Sequence, residues 1–566
     1  MKRKGLVLAI GFIVIIVVAA WLWRSRPQSS DMATYAPADS LVYLECNSLL
    51  DVLQGIASTD AWKELSPLLG TSAPQPPNRG LTRLISWTGL GPTRTVILSR
   101  AQLATVILDL GAKEKGETLT IKPEAAILIE THTAERRIRR TVEDALELFA
   151  EKAYHQLTFQ RIDVGGSEFL VWSSATSERQ IVATIDGTLV IVGNSERAVK
   201  TCLEVRRGQR PSLKGHPEMQ RMRLHLAAAN TLAFGFISSS NAARLFSLSA
   251  PLLFGRAPGD ARFDQIIGTS ASRLLAGVGW SSRVSSGGIE DHYLFSLQST
   301  LVSRLQEHFR PTNTPIRVLD MLPREIHSVS VYRFENPVAT WQLLETTLSS
   351  QLDALSAMLV NSLLKSALTS YGIDDVERFL TLIGPELSTV RLTRESEQST
   401  LVAWVRDEAA LRKLLLGPGG NNIKPNFIGE TELIEIPEKM IAVSFLKATV
   451  LIGPPRDLQL YLKATTGNRA TPDRIKSLEH FSSRSNSASV VTYTRETDRV
   501  LNFLRAISRA SGGATSAHEA TELSSKIEQL PYSATETTLG AQGLERITRS
   551  SFGQFATLVP LLFPER

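Results

Sequence analysis

The sequence is poor in the residues and motifs that identify many secreted scaffolds and metal proteins. Its 566 residues include only two cysteines, Cys46 and Cys202. This excludes a framework of several disulfides and a zinc–thiolate cluster. Outside the cytosol the two thiols could form one disulfide. Two buried free thiols are the favoured interpretation, because free cysteine is usually a core residue.

Recognisable catalytic and ligand motifs are also absent. No two of the nine histidines stand at the helical spacing of paired metal ligands, and none lies near a cysteine. Ser362–Lys365 matches the SxxK pattern of serine acyl enzymes, but it falls in an amphipathic helix pattern without a KTG-type strand. Gly417–Asn422 is rich in glycine but lacks a following Lys-Ser/Thr, so we predict a loop. We therefore nominate no catalytic, cofactor-binding or metal-binding residue and no cofactor.

Neither sign of charge dominates the chain. It has 62 basic and 56 acidic residues, and a net charge of +6 over this length is too small to indicate a nucleic-acid partner. The densest basic cluster is the group of arginines between residues 136 and 140. It could contact anionic lipid or a partner. A solvated helix face, balanced by the acidic residues at 143, 144 and 147, is the favoured interpretation.

A single long hydrophobic run is present, at Leu6–Trp23, and it contains no charged residue. As a helix it would rise about 27 Å, close to the thickness of a bilayer's hydrocarbon core. The basic residues of Met1–Gly5 predict that the N-terminus stays inside. A signal peptide cleaved after Ala20 is the competing interpretation, but the run continues past that point and favours an uncleaved anchor. We therefore expect a single-pass inner-membrane protein with its bulk outside the cytoplasm.

Two stretches of the chain follow the same order of elements, Thr188–Phe246 and Ala448–Leu504. Each has an apolar strand that ends at a glycine, then a helix, a glycine-containing turn, a second helix and a second strand that begins after an asparagine. A third helix closes each stretch. A fixed order of elements with divergent residues is typical of a duplicated unit.

The correspondence extends over nearly all of the chain beyond the hydrophobic run. Short alternating strands joined by hairpin turns, with helices between them, indicate an α+β fold. We predict two homologous domains of mainly antiparallel sheet with helices packed on them, after one N-terminal transmembrane helix. The predicted segments are a basic end 1–5, a transmembrane anchor 6–23, a linker 24–33, a first domain 34–309, a linker 310–315 and a second domain 316–566.

Three local predictions follow from the same patterns. A strand is expected at Arg94–Ile97, and one long helix is expected to begin at Pro337 and end at Gly372. Each domain is expected to end in a β-hairpin. The first hairpin pairs Arg273–Trp280 with Ile289–Leu297, and the second spans residues 534–550.

The Pro-Ala-Asp sequence at Pro37–Asp39 leads directly into the first predicted strand, and a membrane anchor precedes it. In this the chain resembles bacterial envelope proteins of an uncharacterised family, which carry a membrane anchor and modules of this kind. The second half departs from the pattern, because Leu322–Glu325 reads Leu-Pro-Arg-Glu. The resemblance implies export and a modular architecture, and it supplies no catalytic residues.

The sequence therefore favours a membrane-anchored, exported envelope protein that acts as a non-enzymatic binding or scaffolding module. One alternative is an exported hydrolase with its site between the two halves, where ligand pockets are common. Another is a lipid or lipoprotein carrier. The expected partners are the membrane, through the N-terminal helix, and an envelope protein or lipid.

Overall fold

The structure is a computed structural model. It describes residues 29–69, 101–115, 118–153, 157–176, 178–228, 230–245, 261–312, 316–323, 325–352, 354–396, 398–417, 424–467, 488–510 and 517–562. The predicted anchor at 6–23, the strand at Arg94–Ile97 and most of the glycine-rich segment Gly417–Asn422 lie outside these residues. Among the described residues, no helix is long and apolar enough to cross a membrane.

The strands of the first half are β1 Val42–Cys46, β2 Gln102–Lys115, β3 Thr118–Glu130, β4 Leu157–Asp163, β5 Glu168–Ser174, β6 Gln180–Asp186, β7 Leu189–Gly193, β8 Thr231–Ile237, β9 Leu275–Ser285 and β10 Gly288–Leu297. Those of the second half are β11 Ser328–Arg333, β12 Ile383–Arg391, β13 Thr400–Val405, β14 Asn426–Ile428, β15 Thr431–Ile436, β16 Ile441–Phe445, β17 Thr449–Gly453, β18 Val490–Thr494, β19 Ser533–Gly540 and β20 Gly543–Ser550.

The helices of the first half are α1 Leu49–Ser58, α2 Asp60–Leu65, α3 Glu135–Ala153, α4 Glu196–Arg206, α5 Pro217–Leu226, α6 Ala261–Leu274 and α7 Ser299–Gln306. Those of the second half are α8 Pro337–Gln351, α9 Ala354–Thr369, α10 Val376–Leu382, α11 Glu408–Leu416, α12 Pro455–Gly467, α13 Thr497–Ala510, α14 Ala517–Gln529 and α15 Phe555–Leu562.

These strands form one continuous, antiparallel sheet. Its spatial order is β4-β5-β6-β7-β3-β2-β1-β8-β9-β10-β20-β19-β18-β11-β12-β13-β17-β16-β15-β14. The two halves of the sheet have the same strand order when each is read inward from its own edge. Each strand of the first half corresponds to the strand of the second half whose number is higher by ten. The α+β class with a mainly antiparallel sheet is therefore confirmed.

The two halves join at the pairing of β10 with β20, which we call the seam. It runs from Ile289 opposite Ser550 to Ser296 opposite Gly543. A glycine at the start of each strand permits this close approach. A Cβ on Gly288 would lie 2.6 Å from the carbonyl oxygen of Ser550, and one on Gly543 would overlap the carbonyl oxygen of Phe295. Both predicted terminal hairpins are confirmed, and each remains paired with β8 or β18 of its own half.

The hydrophobic cores follow the same division. Two clusters of buried side chains lie in the first half and two lie in the second. Another large cluster straddles the seam, where α1 and α2 of the first half pack with α13, α14 and α15 of the second. At its centre Phe552 is fully buried between Trp62 and Phe503, with ring centroids 6.5 and 4.7 Å away. Burial of apolar area thus stabilises the seam as well as each half.

One predicted element is wrong in form. The long helix expected from Pro337 to Gly372 is two helices, α8 and α9, which pack against each other. The apolar spacing continues through both helices, so periodicity alone did not reveal the break. The sequence does place Asp353 directly before α9, and aspartate favours helix N-caps.

The two cysteines are free thiols in the structure, and burial raises the pKa of each to about 12.

Candidate functional sites at the end of helix α5

Helix α5 positions both groups of side chains that stand out in the described part of the chain. Pro217 suits its first turn, because proline lacks the N–H that a first helical position leaves unpaired. Met219, Met222 and Leu226 are buried against the sheet. Gly279 in β9 allows the helix to lie close, since a Cβ there would be 2.5 Å from Cδ1 of Leu226. The end of α5 therefore lies over the strands next to the seam.

The first group centres on Arg223. Its Nη2 donates to both carboxylate oxygens of Glu45, at 2.7 and 2.8 Å, and its Nη1 donates to Oδ1 of Asp31 at 2.9 Å. The hydroxyl of Tyr43 donates to the same Glu45 carboxylate at 2.6 Å. The guanidinium also lies over the ring of Phe234, 5.4 Å from its centroid. Charge-assisted bonds of this kind hold a side chain in a fixed orientation.

The electrostatics of this group are unbalanced, because two carboxylates surround one guanidinium. Burial raises the pKa of Glu45, and the charge of Arg223 only partly offsets this. Burial would lower the pKa of Arg223, but Glu45 and Asp31 outweigh it and the pKa is raised. The guanidinium therefore stays charged, and the group carries excess negative charge once both carboxyls are ionised.

A cavity of about 280 Å³ opens beside this network. Its lining is polar apart from small alanines and one aromatic ring, and consists of Ser29, Ser30, Asp31, Glu45, Asn47, Arg223, Ala227, Ala228, Thr231, Ala233 and Phe234. Carboxylate, hydroxyl and amide oxygens predominate among the polar atoms, while the Nη1 and Nη2 donors of Arg223 already face carboxylates. The cavity is therefore suited to a small ligand that donates hydrogen bonds.

The second group consists of His225, His292 and Glu545, which we call the histidine–glutamate cluster. His225 lies in the last turn of α5, His292 lies in β10, and Glu545 lies in β20 across the seam. Nε2 of His225 is 3.2 Å from Oε1 of Glu545, and Nε2 of His292 is 3.3 Å from Oε2. The three potential ligand atoms lie within 4.8 Å of one another. Two imidazoles therefore converge on one carboxylate.

The surroundings of Glu545 keep this carboxylate ionised and in place. The imidazole of His292 makes the largest contribution to lowering its pKa, burial opposes this, and His225 adds to the lowering. Gly540 leaves room for the side chain, since a Cβ there would lie 2.5 Å from Oε1 of Glu545. An ionised carboxylate and two imidazoles form a donor set that divalent transition metals prefer.

The sequence motifs considered above do not contribute to either group. Lys365 of the SxxK match pairs with Glu345 at 3.0 Å on the neighbouring helix. Arg139, from the basic cluster of α3, pairs with Glu135 and Glu168. The histidine–glutamate cluster was not nominated from sequence, because its members are far apart along the chain and meet only through the seam pairing.

Comparison with known proteins gives no further guide to function. No protein-family model, curated protein or solved structure matches this chain.

Proposed function

We propose that this protein is a membrane-anchored, exported envelope protein that acts as a non-enzymatic binding module. In this proposal residues 6–23 form a transmembrane helix, and residues 34–309 and 316–566 are two homologous α+β domains. The ligand occupies the cavity beside Arg223. We propose that this ligand is small and carries an ammonium group, such as an amine-bearing component of the envelope.

The charge of the cavity is the observation that carries this proposal. Asp31 and Glu45 supply two carboxylates, and Arg223 balances only one of them. An ammonium group would supply the missing positive charge and three hydrogen-bond donors. Hydroxyls of Ser29, Ser30 and Thr231 also lie on the cavity wall, and a hydroxyl oxygen can accept more than one hydrogen bond. The side chains of Arg223 and Asp31 are each 28% exposed, so a ligand can reach the network although water screens its charges only in part.

One observation favours a second candidate function, an exported hydrolase with its site between the halves. The histidine–glutamate cluster combines His225 and His292 of the first half with Glu545 of the second. Imidazoles and carboxylates are the usual groups for activating water. A lipid carrier would need an apolar cavity large enough for an acyl chain, whereas the cavity described above is polar.

The test is calorimetric titration of the full-length protein in detergent with putrescine, a linear diamine, and with the diol of equal chain length. We expect the diamine to bind and the diol to bind at least tenfold more weakly. Asp31→Asn and Glu45→Gln should each weaken diamine binding by about tenfold, the usual effect of losing one charge-assisted bond of about 1.4 kcal/mol.

Arg412 offers a matched control in the second half. It lies over Phe445, 4.1 Å from the ring centroid, and pairs with two carboxylates, those of Glu408 and Glu432. Glu432→Gln should leave diamine binding unchanged. Equal binding of diamine and diol, no binding of either, or diamine binding that Asp31→Asn and Glu45→Gln leave intact would each contradict the proposal.

A further inference from the structure

The hairpins β9–β10 and β19–β20 contain glutamates at equivalent positions. Glu290 is the second residue after Gly288, and Glu545 is the second residue after Gly543. Glu290 is neutralised by permanent cations, with Arg283 opposite it on β9 and Arg549 opposite it on β20. Nε of Arg283 donates to Oε1 at 2.8 Å, and Nε of Arg549 donates to Oε2 at 2.9 Å.

Glu545 has no arginine opposite it on either neighbouring strand. The residues opposite it are Thr538 on β19 and Leu294 on β10, neither of which carries a charge. Two imidazoles approach the carboxylate instead, from His292 and from His225. If Glu545 only needed a structural ion pair, we would expect arginine beside it, as at Glu290, because arginine is always charged. An imidazole in the same place can instead coordinate a metal through a ring nitrogen, which a guanidinium does not do.

The separations within the cluster suit one metal ion. A tetrahedral site with bonds of about 2.0–2.1 Å places neighbouring ligand atoms about 3.4 Å apart. The two nitrogen–oxygen separations are 3.2 and 3.3 Å, each to a different oxygen of Glu545, and the three potential ligand atoms all lie within 4.8 Å of one another. Nε2 of His292 is shielded from solvent and makes no well-directed hydrogen bond within the described residues. The nitrogen thus lies 3.3 Å from Oε2 of Glu545 without being aligned for a hydrogen bond to it, as two ligands of a shared ion would.

We propose that His225, His292 and Glu545 bind one divalent transition-metal ion, of the class represented by Zn²⁺. Two imidazoles and one carboxylate match the mixed nitrogen and oxygen ligands of this class, while Mg²⁺ and Ca²⁺ prefer oxygen alone. His225 is the most exposed of the three ligands and provides the entry path. This site is separate from the Arg223 cavity, and it stands whether or not the diamine proposal holds.

The bound ion would connect α5 and β10 of the first half to β20 of the second. Since the ion binds only when these elements are assembled, binding stabilises the native seam by mass action. Three protein ligands would leave a fourth coordination position for water or a small ligand.

The test uses the full-length protein in detergent after treatment with EDTA. Zn²⁺ is titrated by calorimetry, Co²⁺ is titrated as a probe with visible absorption, and thermal unfolding is followed with and without Zn²⁺. We expect one ion per chain, a tetrahedral Co²⁺ spectrum and a melting temperature that rises by several degrees. His225→Ala, His292→Gln and Glu545→Gln should each weaken Zn²⁺ binding by more than the 10–100-fold typical of an outer-shell change.

The matched control is His132→Asn. Nδ1 of His132 lies 4.0 Å from Oε1 of Glu130, which makes a histidine–glutamate pair with a single imidazole. Its φ of 51° is one that asparagine tolerates. This variant should bind Zn²⁺ as the wild type does. His225→Ala changes the most exposed of the three ligands, in the last turn of its helix, and should leave the fold intact. If either of the other two variants fails to fold, the result for His225→Ala alone decides the test. No stoichiometric binding, or undiminished binding in His225→Ala, would overturn the proposal.

Discussion

His292 lies directly opposite Ile547 in the seam, and the two residues are equivalent: each is the fourth residue after the glycine that opens its strand. The axis that relates the two hairpins therefore passes between them. On one side of this axis Glu290 is held by two arginines, and on the other Glu545 is approached by two histidines. The same backbone arrangement thus supports a permanent ion network and a candidate metal centre.

The first prediction concerns pH, because neighbouring residues in β10 should respond to it with opposite signs. Burial raises the pKa of Asp291 to about 6, although Trp280 and Gln554 donate to its carboxylate. Its contribution to stability is therefore greatest below about pH 4 and is lost as the pH rises through 6. Burial also raises the pKa of Glu290, but the charges and hydrogen bonds of Arg283 and Arg549 outweigh this effect, so the pKa is lowered overall. Its contribution is present at neutral pH and is lost in acid.

Urea unfolding of the wild type, Asp291→Asn and Glu290→Gln between pH 4.5 and 7 checks this prediction. From pH 4.5 to pH 7, the unfolding free energy of the wild type relative to Asp291→Asn should fall by about 2 kcal/mol. Relative to Glu290→Gln it should rise. Differences that change in the same direction for both variants would contradict the assigned environments.

The second prediction concerns the close contact of the strands at the seam. Gly543 has a φ of 143°, and an added Cβ would overlap backbone atoms of β10. Gly543→Ala should therefore cost about 1–3 kcal/mol for overpacking beyond the strain of the backbone conformation itself. Gly208→Ala is the control, because Gly208 has a φ of 73° but nothing within 4 Å of an added Cβ. Urea unfolding should show the larger loss for Gly543→Ala; equal losses would refute the steric argument.

The third prediction concerns the two halves as fragments, residues 32–310 and 316–566. Each contains a core of its own and should unfold cooperatively, but the cluster at the seam is shared. The fragments should therefore associate one to one on mixing, as size-exclusion chromatography would show. Phe552→Ala should weaken this association and destabilise the intact chain by about 3–5 kcal/mol. Fragments that fold separately and elute separately when mixed would count against the role of the shared cluster.

The fourth prediction concerns topology. A reporter that is active only outside the cytoplasm should be active when fused at Phe563, because residues 6–23 are expected to anchor the chain with its N-terminus inside. A cytoplasmic reporter at the same position should be inactive. Deletion of residues 6–23 should reverse both results, and activity of the cytoplasmic reporter in the intact chain would refute the orientation.

Much of the sheet could be predicted from local pattern. Alternation and turn residues indicate β9 and β10, and also β19 and β20, because a hairpin is specified by residues close together along the chain. The α+β class follows from the same local signals. The domain boundaries themselves, with a linker at 310–315, stay a prediction.

The seam and the histidine–glutamate cluster could not be predicted in this way. The pairing of β10 with β20 joins strands about 250 residues apart, and the residues of neither strand indicate which other strand it pairs with. His225 and Glu545 are brought together by that pairing and by the close approach of α5 at Gly279. Metal-ligand motifs are recognised from short spacings along one element, whereas these ligands come from three elements and two halves.

The central pairing has one further consequence. If two identical chains paired through this hairpin, the residue on the twofold axis would meet its own copy, so every change there would be made twice. In a single chain that restriction disappears. His292 can face Ile547 rather than a second histidine, and Glu545 can exchange arginines for imidazoles while Glu290 keeps them. Because both hairpins belong to one chain, their backbones can be arranged symmetrically while the side chains at the centre of the seam differ.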